Sequence, residues 1–296
     1  MARKGPLCVL ACYILWGLLP VFWKQLASVD SMYVLGSRIA WSVVLMAVIL
    51  GVQRKGAVLR AVSRQQLVRL ALAGIFICIN WGAYIWSVSH DHVLDASLAY
   101  YMNPILAILI GTVVFREKLT GLQWLSVGVT FAGLVITVIR YRQIPWLALV
   151  MGGSFAVYGA LKKGVRTEAG VSVFYETLTL LPVALGYVIL MEARGAGAVG
   201  VLQGTQWLLL PLAGVVTTLP LLLFAVGMKT TPMSLSGILM YINPTLQLLV
   251  SVWLYHEVFT ATHAILFGFV WSGLVLYLLS GWWNERKRRK EEVRCV

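Results

Sequence analysis

Two stretches decide the fold: YYMNPILAILIGTVVFREKLT, residues 100–120, and MYINPTLQLLVSVWLYHEVFT, residues 240–260. Each reads aromatic, one apolar residue, Asn-Pro, a long apolar run, Glu, two more residues, Thr. Tyr101, Asn103, Pro104, Glu117, Thr120 and Gly133 recur as Tyr241, Asn243, Pro244, Glu257, Thr260 and Gly273, each 140 residues further on. The 140-residue offset spans five apolar segments. An odd number of membrane crossings reverses direction, so the second copy runs opposite to the first.

Composition gives the solvent. Of 296 residues, 60% are hydrophobic and 12% charged, against roughly 25% charged in a soluble domain. Apolar runs near the length of a bilayer crossing follow one another with short gaps. Ten are drawn, at 6–23, 34–52, 69–88, 95–115, 122–139, 145–161, 171–190, 207–226, 233–255 and 263–280. The expected fold is an all-α integral membrane protein with ten transmembrane helices in two inverted five-helix repeats. Residues 1–141 form the first repeat, 142–283 the second, and 284–296 a basic tail.

Lysine and arginine set the orientation. With the N-terminus inside, nineteen of 24 fall on the cytoplasmic side. Lys24, Arg140, Arg142 and Arg194 fall on the other, and Arg38 lies inside a helix. Both termini are therefore expected in the cytoplasm. The net charge of +13 sits in loops and the tail rather than on one amphipathic face, which argues against nucleic acid. Cys8, Cys12, Cys78 and Cys295 have neither metal nor disulfide-framework spacing.

Inverted repeats about an axis in the membrane plane are a transporter design. The first helices repeat more loosely: SFAVYGALKK echoes LWGLLPVFWK, with Tyr158-Gly159 against Trp16-Gly17, and Arg38 falls near the register of Glu176. Charges inside membrane helices face the bundle interior or a watery cavity, or snorkel to the interface. An Arg38–Glu176 pair would bridge the halves as gate or glue. Asn80, Tyr84 and Ser87, spaced by four and three, share one helix face with Trp86 and His90 nearby. That face suits a flat organic solute, though Tyr84 and Trp86 also fit an interfacial aromatic belt. His90, Asp91, His92 and Asp95 cluster at a helix boundary, where a loop explains them as well as a metal; none is assigned, although His90 suits a proton-sensitive gate. Pro104, Pro220 and Pro244 are expected to kink their helices, with Asn103 and Asn243 at matching bends and Tyr101 and Tyr241 beside them. Thr217 and Thr218 stand opposite Asn80 in the repeat. Glu117, between Arg116 and Lys118, reads as a solvated helix end. The absence of a nucleotide loop leaves secondary transport, with a proton as a candidate coupling ion.

The motifs YILWGLLPVFWK, SRIAWS, NWGAYIWSVSHDHVLDASLAYYMNP, SFAVYGALKK, YETLTLLP, VVTTLPLLLF and ILMYINPTL follow in order over nearly the whole chain. In combination they resemble EamA-like members of the drug/metabolite transporter superfamily, most closely the bacterial RarD group. The resemblance implies two EamA-type repeats in a bacterial inner membrane. It also implies alternating-access movement of small organic metabolites or drug-like solutes, with no enzyme activity and no cofactor. Monomer and homodimer, import and export, stay open. A lipid-modifying enzyme or a scaffold is the competing reading; the former needs a nucleophile or metal cluster, and the latter lacks a hydrated cavity.

Overall fold

The computed structural model describes residues 4–89, 93–141, 146–256 and 261–294. These are helical almost throughout. The helices are α1 Lys4–Trp23, α2 Ser31–Val52, a short α3 Gly56–Arg60, α4 Arg64–Ser89, α5 Val93–Val113, α6 Gly121–Tyr141, α7 Trp146–Lys163, α8 Ala169–Ala193, α9 Leu209–Gly227, α10 Met233–Leu239, α11 Ile242–Leu249 and α12 Ala261–Arg294. Each of the ten expected segments contains helix. Among the described residues, eight helical stretches are long and apolar enough to cross a membrane, including Lys4–Leu26, Ser31–Val52 and Met233–Leu254. Helices α5 and α7 are not among the eight; α5 contributes the shorter apolar stretch Met102–Val113.

Local chemistry explains where helices begin and break. Asp30 caps α2 by accepting the Tyr33 N–H at 2.8 Å, which starts this helix three residues before the hydrophobic run. The expected segment 233–255 is interrupted at Met240-Tyr241. Pro244 has no N–H to give the Met240 carbonyl four residues earlier. The Asn243 N–H takes that carbonyl instead, at 3.0 Å. Pro104 and Pro220 lie inside helices that run on uninterrupted. The charged residues after Trp283 continue α12 to Arg294; Glu, Lys and Arg are good helix formers.

The packing inverts that of a soluble protein. Val48, Val183, Ile189 and Phe131 are more than half exposed, while Ser42, Asn103, Thr130, Lys162 and Glu176 are buried. An apolar surface over a polar-dotted interior is what a lipid solvent selects. Helix α2 packs on α8 and α9, and α4 on α7 and α8. Helix α1 packs on α9, α10 and α11; α5 on α7 and α10; α6 on α12.

Close crossings rest on glycine. A Cβ on Gly74 of α4 would lie 2.6 Å from the Glu176 carbonyl oxygen, and one on Gly214 of α9 would lie 2.7 Å from the Trp41 carbonyl carbon. Both obstacles are backbone and cannot rotate away. Gly74→Val is expected to cost about 1–3 kcal/mol through overpacking, read as a lower melting midpoint in detergent. Gly186→Ala, where a Cβ meets nothing within 4 Å, is the matched control and should not destabilise. Equal melting of the two variants would remove the α4–α8 crossing as the cause.

Candidate functional site

The ends of α1, α2, α4 and α11 surround one cavity. Its vestibule, about 490 Å³, lies among Trp23, Lys24, Ala27, Val29 and Tyr255 at the loop following α1. It narrows to a cleft of about 110 Å³ lined by Trp16, Asn80, Asn103, Phe155, Met240 and Asn243. Arg38, Trp23, Trp81, Tyr84 and Gln247 line both parts, so the two are continuous.

Arg38 is held on the wall by aromatic faces. Its guanidinium carbon lies 3.9 Å from the Trp81 ring centroid and 5.0 Å from that of Trp23. This cation–π geometry supports a charge where water is scarce. At the mouth, the Lys24 ammonium lies 3.5 Å above the Tyr255 ring. The amides have distinct duties: Asn80 donates to the Met151 carbonyl at 2.8 Å, and Asn243 accepts from Gln247 at 2.6 Å. Asn103 is buried, and its Oδ1 lies close enough to Gly152 that a Cβ there would come within 2.9 Å.

The cleft ends on aromatic rings. Trp16 and Phe155 meet edge-on at 5.7 Å, and Phe224 touches them at 5.7 and 5.8 Å. Phe224 then stacks on Tyr158 at 5.4 Å. Behind this layer Glu176 accepts from Lys162 at 2.5 Å, from Ser172 at 2.7 Å and from Tyr158 at 3.4 Å. The partner of Glu176 is thus Lys162, not Arg38, which belongs to the cavity wall on the other side of the rings.

At the helix ends away from the vestibule, polar contacts join α5, α7 and α10. Helix α5 ends at Val113, and Arg116 adopts a left-handed φ of 53°. That turn lets the Glu117 N–H return to the Gly111 carbonyl at 3.0 Å and points its carboxylate at α10. Glu117 accepts the Met233 and Ser234 N–H groups at 2.7 and 2.9 Å and the Lys163 ammonium at 2.9 Å. Lys163 also donates to the Thr231 carbonyl at 3.0 Å. Burial alone would raise the Glu117 carboxyl, but the Ser234 N–H, Lys163 and the Met233 N–H outweigh it and hold it below the ordinary value. Nearby, Arg69 donates to the Gly164 carbonyl and Lys55 pairs with Glu168.

Of the residues singled out in the sequence, Trp16, Arg38, Asn80, Tyr84, Asn103 and Asn243 line the cavity. Tyr158 and Glu176 lie behind its floor. Tyr241 and Thr217 are buried in the helix packing, outside that lining. Trp86 and Tyr101 lie on α4 and α5, but their side chains are outside the described ones, and His90 and Glu257 fall outside the described residues. Among the described residues no group of three or more His, Cys, Asp or Glu could hold a metal ion. Sequence reading passed over Trp23, Lys24, Phe155, Gln247 and Lys162 as site residues. Gln247, one turn after Asn243, carried a usable signal. Lys162 read as a loop charge because Lys163 follows it.

The EamA-like transporter family matches residues 3–139. The "Uncharacterized transporter YojE" of Bacillus subtilis is 40% identical over 94% of this chain and 94% of its own length. "Protein RarD" of Escherichia coli is 32% identical over 97% of this chain and 98% of its own. The "Chloramphenicol-sensitive protein RarD" of Pseudomonas aeruginosa is 29% identical over 100% and 99%. One solved crystal structure shares the fold with a TM-score of 0.74 at 18% identity, covering 94% of this chain and 98% of that one.

Proposed function

This chain belongs to the EamA-like transporter family, in its RarD-like branch, and on that premise we propose that it carries small organic or drug-like solutes through the cavity beside Arg38 by alternating access. Membership makes it a multi-pass secondary transporter of the bacterial inner membrane rather than a catalyst. The observation that carries the reading is a cavity open at one face and walled by Arg38 on Trp81, with Glu117 joining the helix ends away from it.

The finer architecture is ten crossings in two inverted repeats, 1–141 and 142–283, with 284–296 as a cytoplasmic tail. Support comes from how the helices pair. Exchanging each of the ten expected crossings with the one five later turns α1–α9 into α7–α4, α2–α9 into α8–α4, and α5–α7 into the pairing of α1 with α10 and α11. It leaves α2–α8, α5–α10 and α6–α12 unchanged, and all of these pairs pack. His256 has φ 54°, repeating the left-handed Arg116 turn 140 residues on. The lysine and arginine bias favours both termini in the cytoplasm, which turns the cavity mouth outward.

The cavity chemistry favours a solute with a flat ring for Trp16, Trp23 and Trp81 and a polar head for Arg38 and the amides. Tyr84 serves the same wall; Trp86, His90 and Tyr101 stay proposed lining or gating residues, and Tyr158 and Glu176, behind the floor, are proposed for gating, whereas Thr217 and Tyr241 lie in the helix packing. A proton is the coupling ion to test first. The experiment is uptake of radiolabelled aromatic solutes, chloramphenicol among them, into proteoliposomes with and without a pH gradient. Saturable uptake that unlabelled solute drives in counterflow is expected. An inserted, folded protein that moves none of the panel would overturn the reading. A reporter active only outside the membrane, fused after Trp283, should stay silent; a strong signal there would reject the orientation.

A further inference from the structure

Lys162 and Glu176 form an ion pair that the outward cavity does not touch. Their side chains are 1% and 2% exposed. Ser172 accepts from Lys162 at 2.7 Å and donates to Glu176 at the same distance. An ion pair buried this completely adds little net stability, because desolvation cancels most of its attraction; apolar residues of similar volume commonly do as well. Charges buried inside the helix bundle of a membrane protein commonly mark a solute or ion pathway.

The position of the pair suggests which pathway. Phe224 and Tyr158 form the back of the aromatic layer whose front, Trp16 and Phe155, closes the cleft. Two hydroxyls border these rings: Tyr13, paired with Ser236 at 2.8 Å, and Tyr158, which donates to Glu176 and so leads on to Lys162. The pair belongs to α7 and α8, and the cation of the outward cavity belongs to α2, packed against Trp23 of α1. Helices α7 and α8 are the second-half counterparts of α1 and α2 under the exchange described above. Each cluster has a cation near an aromatic ring: Arg38 near Trp23 and Lys162 5.9 Å from the Tyr158 centroid.

We propose that Lys162 and Glu176 form a second solute station, used when the cavity turns to the face where Glu117 joins the helix ends. Lys162 then receives the same part of the solute that Arg38 receives on the open side. A cation at both stations selects a carboxylate or another strong hydrogen-bond acceptor on a flat apolar body. Glu176 holds the ammonium while the station is shut and gives it up when the solute arrives. The proposal rests on the transport reading above and assigns a site and a substrate class within it.

Two measurements test it. In a chain whose native cysteines are replaced, a Ser172→Cys thiol should react with membrane-impermeant maleimide from the face carrying the α7–α8 loop. Glu117→Gln, which loosens that face, should speed the labelling. An Ala27→Cys thiol at the vestibule should react from the opposite face. In the second, Lys162→Met with Glu176→Gln removes both charges while leaving Ser172 and Tyr158 a polar partner. This double variant should keep its melting midpoint yet lose roughly tenfold in uptake of acceptor-bearing panel solutes, the worth of one charge-assisted contact. Uptake at the parental rate, or a Ser172→Cys thiol silent from both faces in a transporting preparation, overturns the second station. If the parent moves no solute, the transport reading is what fails, and labelling still decides whether the pair opens to water.

Discussion

Replacing Glu117 with alanine is expected to lower stability by about 3 kcal/mol and to loosen the face of the protein where it joins the helix ends. The carboxylate, 15% exposed, accepts two backbone N–H groups at the start of α10 and the Lys163 ammonium. The first N–H groups of a helix have no partner within it. Removing their acceptor strands both and leaves Lys163 without its carboxylate; hydrogen bonds to charged groups contribute about 1.5–3 kcal/mol each. Lys163, 20% exposed, regains some hydration, which keeps the loss below the sum. Glu117→Gln retains one oxygen and should lose less. Acidity should imitate the substitution. The folded carboxyl lies below its ordinary value of 4.5, so its contribution is complete above that pH and disappears as pH falls through the folded value. The parent's melting midpoint should therefore fall more steeply below about pH 4.5 than that of Glu117→Gln. Matching acid profiles would mean that the carboxylate does not hold this face.

Arg38→Gln is expected to leave the protein folded and inserted while uptake falls by at least roughly tenfold, the equivalent of a lost charge-assisted contact. The guanidinium lies on Trp81 at the junction of vestibule and cleft, so every solute bound in the cleft passes it. The stacking itself contributes about 1 kcal/mol, and its loss should move the melting midpoint little. Arg38→Lys keeps the charge but not the planar face, and should fall between parent and Gln. Adding Glu176→Gln should restore nothing, because Glu176 is bound to Lys162. Parental uptake by Arg38→Gln would return this residue to a purely structural role.

Helix content and membrane class were legible in the chain because each is written locally. A run near 20 apolar residues states its own solvent, and Asn103-Pro104 against Asn243-Pro244 states its own duplication. The interrupted helix at Met240 was likewise implicit in Pro244. Equal sequence motifs did not produce equal structures: the helix around Pro104 runs on, whereas the one at Pro244 breaks. About half of the cleft lining was also legible, since a polar or charged residue inside an apolar run draws attention.

What the chain alone could not express was which residue meets which. Glu117 seemed to belong with Arg116 and Lys118; folding gave it Lys163 and the first turn of α10. Glu176 seemed to answer Arg38; folding gave it Lys162 and set a layer of aromatic rings between the two charges. The reason is rotational. Helices apolar on nearly every side carry no periodic stripe to say which side turns inward, so the sequence determines that they cross the membrane and where polar groups sit along them. Their rotation and neighbours are settled by close packing at glycines such as Gly74 and Gly214, and by the need of each buried polar group for a partner. Both are properties of the assembled bundle, and they decided where the cavity opens and where it ends.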